Sequence, residues 1–151
     1  MQIKWRDEMS VDGSRIDEDH RHLIDIINEF EEMSEHFKNT GEALEILYAL
    51  KFYANTHFER EESLQRLSGY PYHQAHQLEH KDLIKRLESI ILETQNCSID
   101  AINQISMKTA ELLISWLLDH VIKSDLRMRD YVDEMKSHMI SLGALKDIEQ
   151  N

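Results

Sequence analysis

Apolar residues recur every three or four positions along most of the chain, which is the spacing of helices that bury one face. Four such patterns are present, and the short segments "KNTGE", "SGYP" and "TQNCS" separate them. They predict helices over about 17–37, 41–67 and 71–93, and a fourth helix that begins near residue 99. Because short loops join antiparallel neighbours, we expect an all-α, up-down-up-down antiparallel four-helix bundle.

Each predicted helix has a stripe of residues that we expect to face the core. The first stripe is Ile16, Leu23, Ile27, Phe30 and Phe37; the second is Ala43, Leu47, Leu50, Ala54 and Leu64; the third is Leu83, Leu87 and Ile90; the fourth is Ile102, Ile105, Leu112 or Leu113, and Trp116. Gly69 suits the C-cap of the second helix, Pro71 the first turn of the third, and Ser98 the N-cap of the fourth.

An extra C-terminal helix is predicted beyond residue 125, because apolar residues there again keep a spacing of four and three. They are Met128, Val132, Met135, Met139 and Leu142. Two alternatives stay open for this helix. In one it folds back over the bundle or is merely an amphipathic end; in the other it forms a homodimer or leads to a downstream signalling domain.

Composition narrows the class of protein. The chain has 151 residues, 41% of them hydrophobic and 30% charged, and a net charge of −12, which argues against nucleic acid as a partner. No run approaches the roughly 20 apolar residues of a membrane span, and "MQIKWRDEMS" lacks the apolar core of a secretory signal. A single cysteine, Cys97, rules out an intramolecular disulfide, so we expect a cytoplasmic protein. Because no apolar run is long enough to span a membrane, we expect no membrane partner.

Polar side chains interrupt the apolar stripe of every helix. A histidine or a carboxylate occupies a core-facing position at His20, His57, Glu61, His76, His80 and His120. Positions i and i+4 lie only about 40° apart around a helix, so His57 converges with Glu61, whereas Glu62 would point away. Burying an unpaired polar group costs about 1–3 kcal/mol, and these groups cannot all satisfy one another. A bound metal ion resolves the conflict, because it takes the imidazole lone pairs and the negative charge together.

The segments "IDEDHRHL", "HFEREE", "GYPYHQAHQLEH" and "WLLDHVIKSD" together resemble the hemerythrin family, most closely its bacterial members. The resemblance covers residues 1–132, including the N-terminal "IKW" arm, and leaves 133–151 as a C-terminal helical extension. It implies seven metal ligands, in order along the four helices: His20, His57, Glu61, His76, His80, His120 and Asp125.

The resemblance further implies a non-heme di-iron centre, with two iron ions joined by a bridging oxo or hydroxo group. His76, His80 and His120 would hold one iron, His20 and His57 would hold the other, and Glu61 and Asp125 would bridge them. One coordination position stays open for O2, and NO or other small anions would fit the same position. The residues that match the family's pocket walls are Leu23, Phe58, Trp116 and Leu117, for which plain core packing is the alternative.

Asp125 is the one implied ligand that simple helical spacing does not place. It follows His120 by five residues, about 140° around an ideal helix, so we expect a π-type turn or a bend between them. Of the remaining histidines, His73 has two interpretations, as a group that supports the site or as a bystander. His22, His36 and His138 are expected to be solvated, and Cys97 to be an incidental loop thiol.

Three functions remain for comparison. The first is reversible O2 binding for carriage, storage or supply, without enzymatic activity. The second is a sensory domain in which O2 binding or iron oxidation changes the output of a signalling protein. The third is a structural zinc site, which is disfavoured because zinc sites of that kind take four ligands and prefer thiolates.

Overall fold

The computed structural model describes residues 2–143, with only the backbone of Ile122. Within that range the chain forms four long helices, one shorter C-terminal helix and no β-strand, which confirms the predicted all-α class. The helices are α1 (Arg15–Met33), α2 (Thr40–Ser68), α3 (His73–Asn96), α4 (Ile102–Leu118) and α5 (Arg129–Ser141). Helix α1 packs against α2 and α4, and α3 packs against the same two helices, so the four form a closed bundle.

The helix boundaries differ from the predicted ones at several places. Helix α3 continues to Asn96, α4 begins at Ile102, and Ser98 makes no capping hydrogen bond, which corrects its prediction as the N-cap. Helix α1 ends at Met33, because the Ser34 hydroxyl and backbone N–H both turn back to the Glu31 carbonyl; Phe37 stays buried outside the helix. Pro71 lies in the turn before α3 and not in its first turn, which corrects the prediction. Gly69 caps α2 in the left-handed conformation (φ 67°) as expected.

The core contains most of the predicted stripes, with corrections on α3 and α4. Ile91 is buried where Ile90 was expected, and Leu113 is buried, whereas Leu112 is 60% exposed. Ile105 and Trp116 are half-buried. A one-residue difference in facing is common where apolar residues are adjacent, because either one fits a helical spacing of three or four.

The N-terminal arm and α5 both pack on the bundle. The Asn28 side chain pairs with both backbone groups of Ile3 (2.8 and 2.7 Å), which fixes the arm along α1. Met128 and Val132 are fully buried at the start of α5, and Lys136 donates a hydrogen bond to the backbone of the arm. The structure therefore has α5 folded back, as the first alternative for this helix states. The end of the predicted C-terminal extension, residues 144–151, lies outside the described range.

No helix within residues 2–143 has the length and hydropathy to cross a membrane.

A buried carboxylate ties the arm to α1. Asp17, only 4% exposed, accepts hydrogen bonds from the backbone N–H groups of Val11 (2.7 Å) and Gly13 (2.9 Å) and from the Ser10 hydroxyl (2.5 Å). The Val11 N–H is buried and would otherwise have no acceptor, and Asp17 precedes His20 by three residues on α1. Asp17 thus connects the path of the arm to the position of that histidine.

We expect Asp17→Ala to lower the free energy of unfolding by about 2 kcal/mol, because it leaves the buried N–H of Val11 without an acceptor and removes the hydrogen bonds from Ser10 and Gly13. Urea denaturation followed by circular dichroism measures the change. The matched control is Asp25→Ala, which removes an exposed carboxylate from the same helix. Equal stability of the two variants would contradict this account of the arm.

Candidate metal centre

Seven side chains predicted from sequence converge at one place in the bundle. Helix α1 supplies one, α2 and α3 supply two each, and the segment after α4 supplies two: His20, His57, Glu61, His76, His80, His120 and Asp125. All seven are at most 4% exposed. We call them the buried cluster.

The two carboxylates of the buried cluster each face two groups of histidines. Glu61 directs Oε1 toward His76 Nε2 (2.6 Å) and Oε2 toward His57 Nε2 (2.7 Å). Asp125 likewise directs Oδ1 toward His76 and His120 (3.0 Å each) and Oδ2 toward His20 (2.8 Å). Each carboxylate therefore lies between two donor sets, which is the arrangement of a bridging ligand.

The donor atoms form two sets, within each of which the atoms lie less than 4.8 Å apart. Both sets contain Glu61 and Asp125; one adds His76, His80 and His120, and the other adds His20 and His57. These are the same two groups that the resemblance implied.

The spacing of the donor atoms fits a metal ion. His20 Nε2 and His57 Nε2 lie 3.1 Å apart, and the short nitrogen–oxygen distances are 2.6–3.0 Å. Neighbouring ligands of an octahedral metal with bonds of about 2.1 Å are separated by about 3.0 Å. Nε2 of His76, His80 and His120 and both carboxylate oxygens of Asp125 have no hydrogen bond within residues 2–143. A cation would satisfy these atoms, so the residues present fit a metal centre.

A π-helical segment places Asp125 in the cluster. Residues Asp119–Ser124 are π-helical, directly after α4, and a 3-10 turn, Asp125–Met128, follows. The wider π turn brings positions i and i+5 onto one face, so Asp125 joins His120 as the sequence analysis anticipated. Ser124, which would take the inward position in a regular helix, donates a hydrogen bond to Glu79 instead (2.6 Å).

Three further carboxylates form hydrogen bonds with the outer nitrogen, Nδ1, of three cluster histidines. The Nδ1–H groups of His57, His80 and His120 donate to Asp19 (3.4 Å), Glu62 (3.0 Å) and Glu79 (3.4 Å). A carboxylate only accepts, so each contact keeps the proton on Nδ1 and turns the Nε2 lone pair toward the cluster centre. Sequence reasoning missed these groups. Glu62 does point away from Glu61, as expected, but toward a histidine of the next helix, which a stripe on one helix does not reveal.

The cluster also shifts the pKa values of its own groups. Burial lowers the pKa of His80 to about 4. Burial acts against protonation of His76 and His120 too, but the adjacent Asp125 and Glu61 carboxylates raise their pKa to about 9 and about 10. The charge of Glu61 and hydrogen bonds to carboxylates raise the pKa of His57 in the same way. In the metal-free protein at neutral pH, protons on these three histidines therefore offset the carboxylate charges.

Among the predicted wall residues, Phe58 has the closest relation to the cluster. Its ring stacks on that of His80 (centroids 3.9 Å apart, planes 9° apart) and lies near those of His57 and His120. Leu23 and Leu117 are buried in the same core. Trp116 is half-buried and lines a cavity of about 280 Å³ between α3 and α4 that none of the cluster residues lines, so its role as a wall stays a prediction.

His73 is linked to the cluster through one side chain. His73 Nδ1 lies 3.1 Å from the Gln65 amide oxygen, and the fully buried Gln65 directs its NH2 group to Glu61 Oε1 (3.5 Å). This contact favours the supporting interpretation of His73. His22, His36 and His138 are exposed, as expected, and half-buried Cys97 donates a hydrogen bond to the Thr94 carbonyl.

The closed helical bundle and its buried histidine and carboxylate cluster define a class, the metal-binding four-helix bundles. A family model described as the hemerythrin HHE cation binding domain matches residues 13–132, and the chain belongs to the hemerythrin family.

Relatives and solved structures agree with this assignment. A bacteriohemerythrin of Clostridium acetobutylicum is 30% identical over 132 residues, covering 85% of this chain and 98% of the relative. One of Stenotrophomonas maltophilia is 28% identical over 137 residues, covering 91% and 84%. A crystal structure of wild-type hemerythrin superposes with a TM-score of 0.73 at 21% identity, covering 86% of this chain and 97% of the other, which supports the fold.

The pKa shifts predict that metal uptake at pH 7 displaces about three protons, one each from His57, His76 and His120, because a ligating imidazole must be neutral. His80, whose pKa is lowered to about 4, contributes none. Apparent affinity should therefore rise with pH above 7, because fewer of these histidines then hold a proton that the metal must displace. Anaerobic calorimetry with Fe2+ in two buffers of different ionisation enthalpy counts the protons. Affinity independent of pH between 7 and 9 would contradict the prediction.

Proposed function

We propose that this chain binds O2 reversibly at a non-heme di-iron centre and is a binding protein, not an enzyme. The observation that supports the proposal most is the double orientation of Glu61 and Asp125, each of which turns one oxygen toward each histidine set. Membership of the hemerythrin family and similarity to bacteriohemerythrins support the same function.

In this proposal the seven cluster residues are the iron ligands. His76, His80 and His120 would hold one ion and His20 and His57 the other, so the second ion would have one histidine ligand fewer and room to bind O2. A di-iron centre supplies electrons and a coordination site for O2. The donor set consists mainly of neutral imidazoles. Carboxylate-rich di-iron proteins differ, because two of their helices supply one Glu each and the other two supply a Glu-x-x-His motif each.

The protein's own side chains protect such a site. The Asp19, Glu62 and Glu79 carboxylates orient the ligand imidazoles and raise their basicity. Phe58 stacks on His80, and Leu23 and Leu117 are buried in the same core; as walls of the site they would exclude water and slow oxidation of the centre. A site that only binds and releases O2 must exclude water, whereas it needs no acid or base beside the bound O2.

Replacing His80 or His120 by Ala tests the ligand assignment. We expect iron content to fall from about two per chain to one or fewer, and thermal stability to fall, because the remaining ligands are left buried and unpaired. Metal analysis and thermal unfolding measure the two effects. The control is His36→Ala, which removes an exposed histidine. Full iron loading and unchanged melting in both ligand variants would refute the assignment.

Leu117→Ala tests the wall. It should leave iron content intact and speed autoxidation by about tenfold, because water gains access to the centre. Leu113→Ala is the matched control, since it removes an equally buried leucine one turn earlier on the same helix. Stopped-flow measurement of autoxidation compares the two. Equal rates in both variants would show that Leu117 is core packing and not a wall of the site.

A sensory role is the second candidate, and one contact favours it. Gln65 Nε2, which reaches Glu61, also lies 3.6 Å from the Met128 sulfur at the start of the C-terminal segment. Met128 follows Asp125 by three residues and is fully buried. A change at the bridging carboxylates therefore has a short path of packed side chains to α5.

Hydrogen exchange over residues 126–142 tests this role. If the centre controls α5, protection there should differ between the oxidised and reduced proteins, while the α1–α2 loop, residues 34–39, serves as an internal control. Identical protection in both states would leave O2 binding as the only supported function.

A further inference from the structure

The three carboxylates that contact the outer nitrogens of cluster histidines, Asp19, Glu62 and Glu79, each accept a hydrogen bond from a second partner. Two of these partners are neutral. Glu62 accepts from the Gln77 amide (3.4 Å), and Glu79 accepts from the Ser124 hydroxyl (2.6 Å). A neutral donor adds no positive charge, so each of these two carboxylates presents its full negative charge to its histidine.

Asp19 differs, because its second partner is a cation. Its Oδ2 faces His57 Nδ1 (3.4 Å), and its Oδ1 accepts a hydrogen bond from the Arg60 guanidinium. Of the three outer carboxylates, it is the one that pairs with an arginine or lysine within residues 2–143. The two oxygens of one carboxylate are thus divided between a cluster histidine and an arginine.

The Asp19–Arg60 pair joins α1 and α2 at the wall of a surface cavity. Arg60 follows His57 by three residues on α2, and Asp19 directly precedes His20 on α1. Both side chains of the pair line a cavity of about 370 Å³, and the Arg60 side chain is 35% exposed. An ion pair exposed to this degree contributes little to stability. Its larger effect is on the charge of the carboxylate that His57 contacts.

The charge of an outer carboxylate acts on a bound metal through the imidazole between them. A carboxylate that accepts from Nδ1–H makes the ring a stronger electron donor, and such hydrogen bonds help to set the redox potential of a metal centre. A stronger donor favours the more highly charged, ferric state. A guanidinium on the same carboxylate offsets part of its negative charge, which weakens this effect and favours the ferrous state.

We propose that Arg60 is a positioning residue that acts through Asp19 on His57 and favours the reduced form of the centre. The proposal rests on the proposed function, in which His20 and His57 hold the ion that has room for O2. A centre that supplies electrons to O2 has to start in its reduced form. The one cation among the partners of the outer carboxylates therefore lies on the side of the cluster where O2 would bind.

A redox titration of the iron-loaded protein without O2, followed by its absorption spectrum, tests the proposal. We expect Arg60→Gln to shift the equilibrium about tenfold toward the oxidised form, which lowers the potential by about 59 mV for one electron. Arg60→Lys keeps the positive charge and should shift it less. The matched control, Arg66→Gln, removes an exposed arginine of the same helix that bonds to Ser63 (3.1 Å), and it should leave the potential unchanged.

A double-mutant cycle shows whether Arg60 acts through Asp19. Asp19→Asn keeps an oxygen that can accept from His57 but removes the carboxylate charge, so by itself it should raise the potential. Adding Arg60→Gln to Asp19→Asn should then change the potential much less than Arg60→Gln does in the parent protein. Iron content and circular dichroism verify that each variant is loaded and folded.

An unchanged potential in Arg60→Gln would overturn the proposal, as would an equal shift in Arg66→Gln. An undiminished shift in the Asp19→Asn background would also overturn it, because Arg60 would then act through its own charge and not through Asp19. The titration needs no O2. A loaded chain that fails to bind O2 would therefore refute the proposed function without altering this comparison of potentials.

Discussion

Five imidazoles and two carboxylates share one small volume inside the bundle, and the placement of every helix depends on how they are satisfied. Burying an unpaired polar group costs about 1–3 kcal/mol, so seven such groups would cancel the 5–15 kcal/mol by which a domain of this size is stable. Without metal, protons on His57, His76 and His120 offset the carboxylates. Metal ions replace those protons and satisfy the lone pairs directly, which makes metal binding part of folding.

The same constraint explains features of the scaffold that a plain bundle does not need. The π-helical segment Asp119–Ser124 interrupts the fourth helix at the point where Asp125 must reach the cluster. Asp19, Glu62 and Glu79 lie outside the cluster, and each accepts a hydrogen bond from the outer nitrogen of a cluster histidine. Gln65 then connects Glu61 to Met128, the residue directly before α5. The scaffold thus links the arm, α5 and the site.

Sequence spacing was sufficient for the parts of the structure that lie within one helix. The four helices, the pairs His57–Glu61 and His76–His80 and the Gly69 cap follow from local periodicity and capping. Sequence spacing was insufficient where the position of a side chain depends on a neighbouring helix. Glu62 meets His80 across the α2–α3 interface, and the choice between Leu112 and Leu113 depends on the rotation of α4 in the bundle. Asp125 needed the family pattern, because a π turn has no strong sequence signal of its own.

We propose that the two histidine sets hold two iron ions bridged by Glu61 and Asp125. An anomalous-difference map from crystals of the loaded protein, collected on either side of the iron absorption edge, tests this proposal most directly. We expect two iron peaks per chain, one beside His76, His80 and His120 and the other beside His20 and His57, with both carboxylates in contact with both peaks. A single peak per chain, or two peaks whose heights do not change across the iron edge, would contradict it.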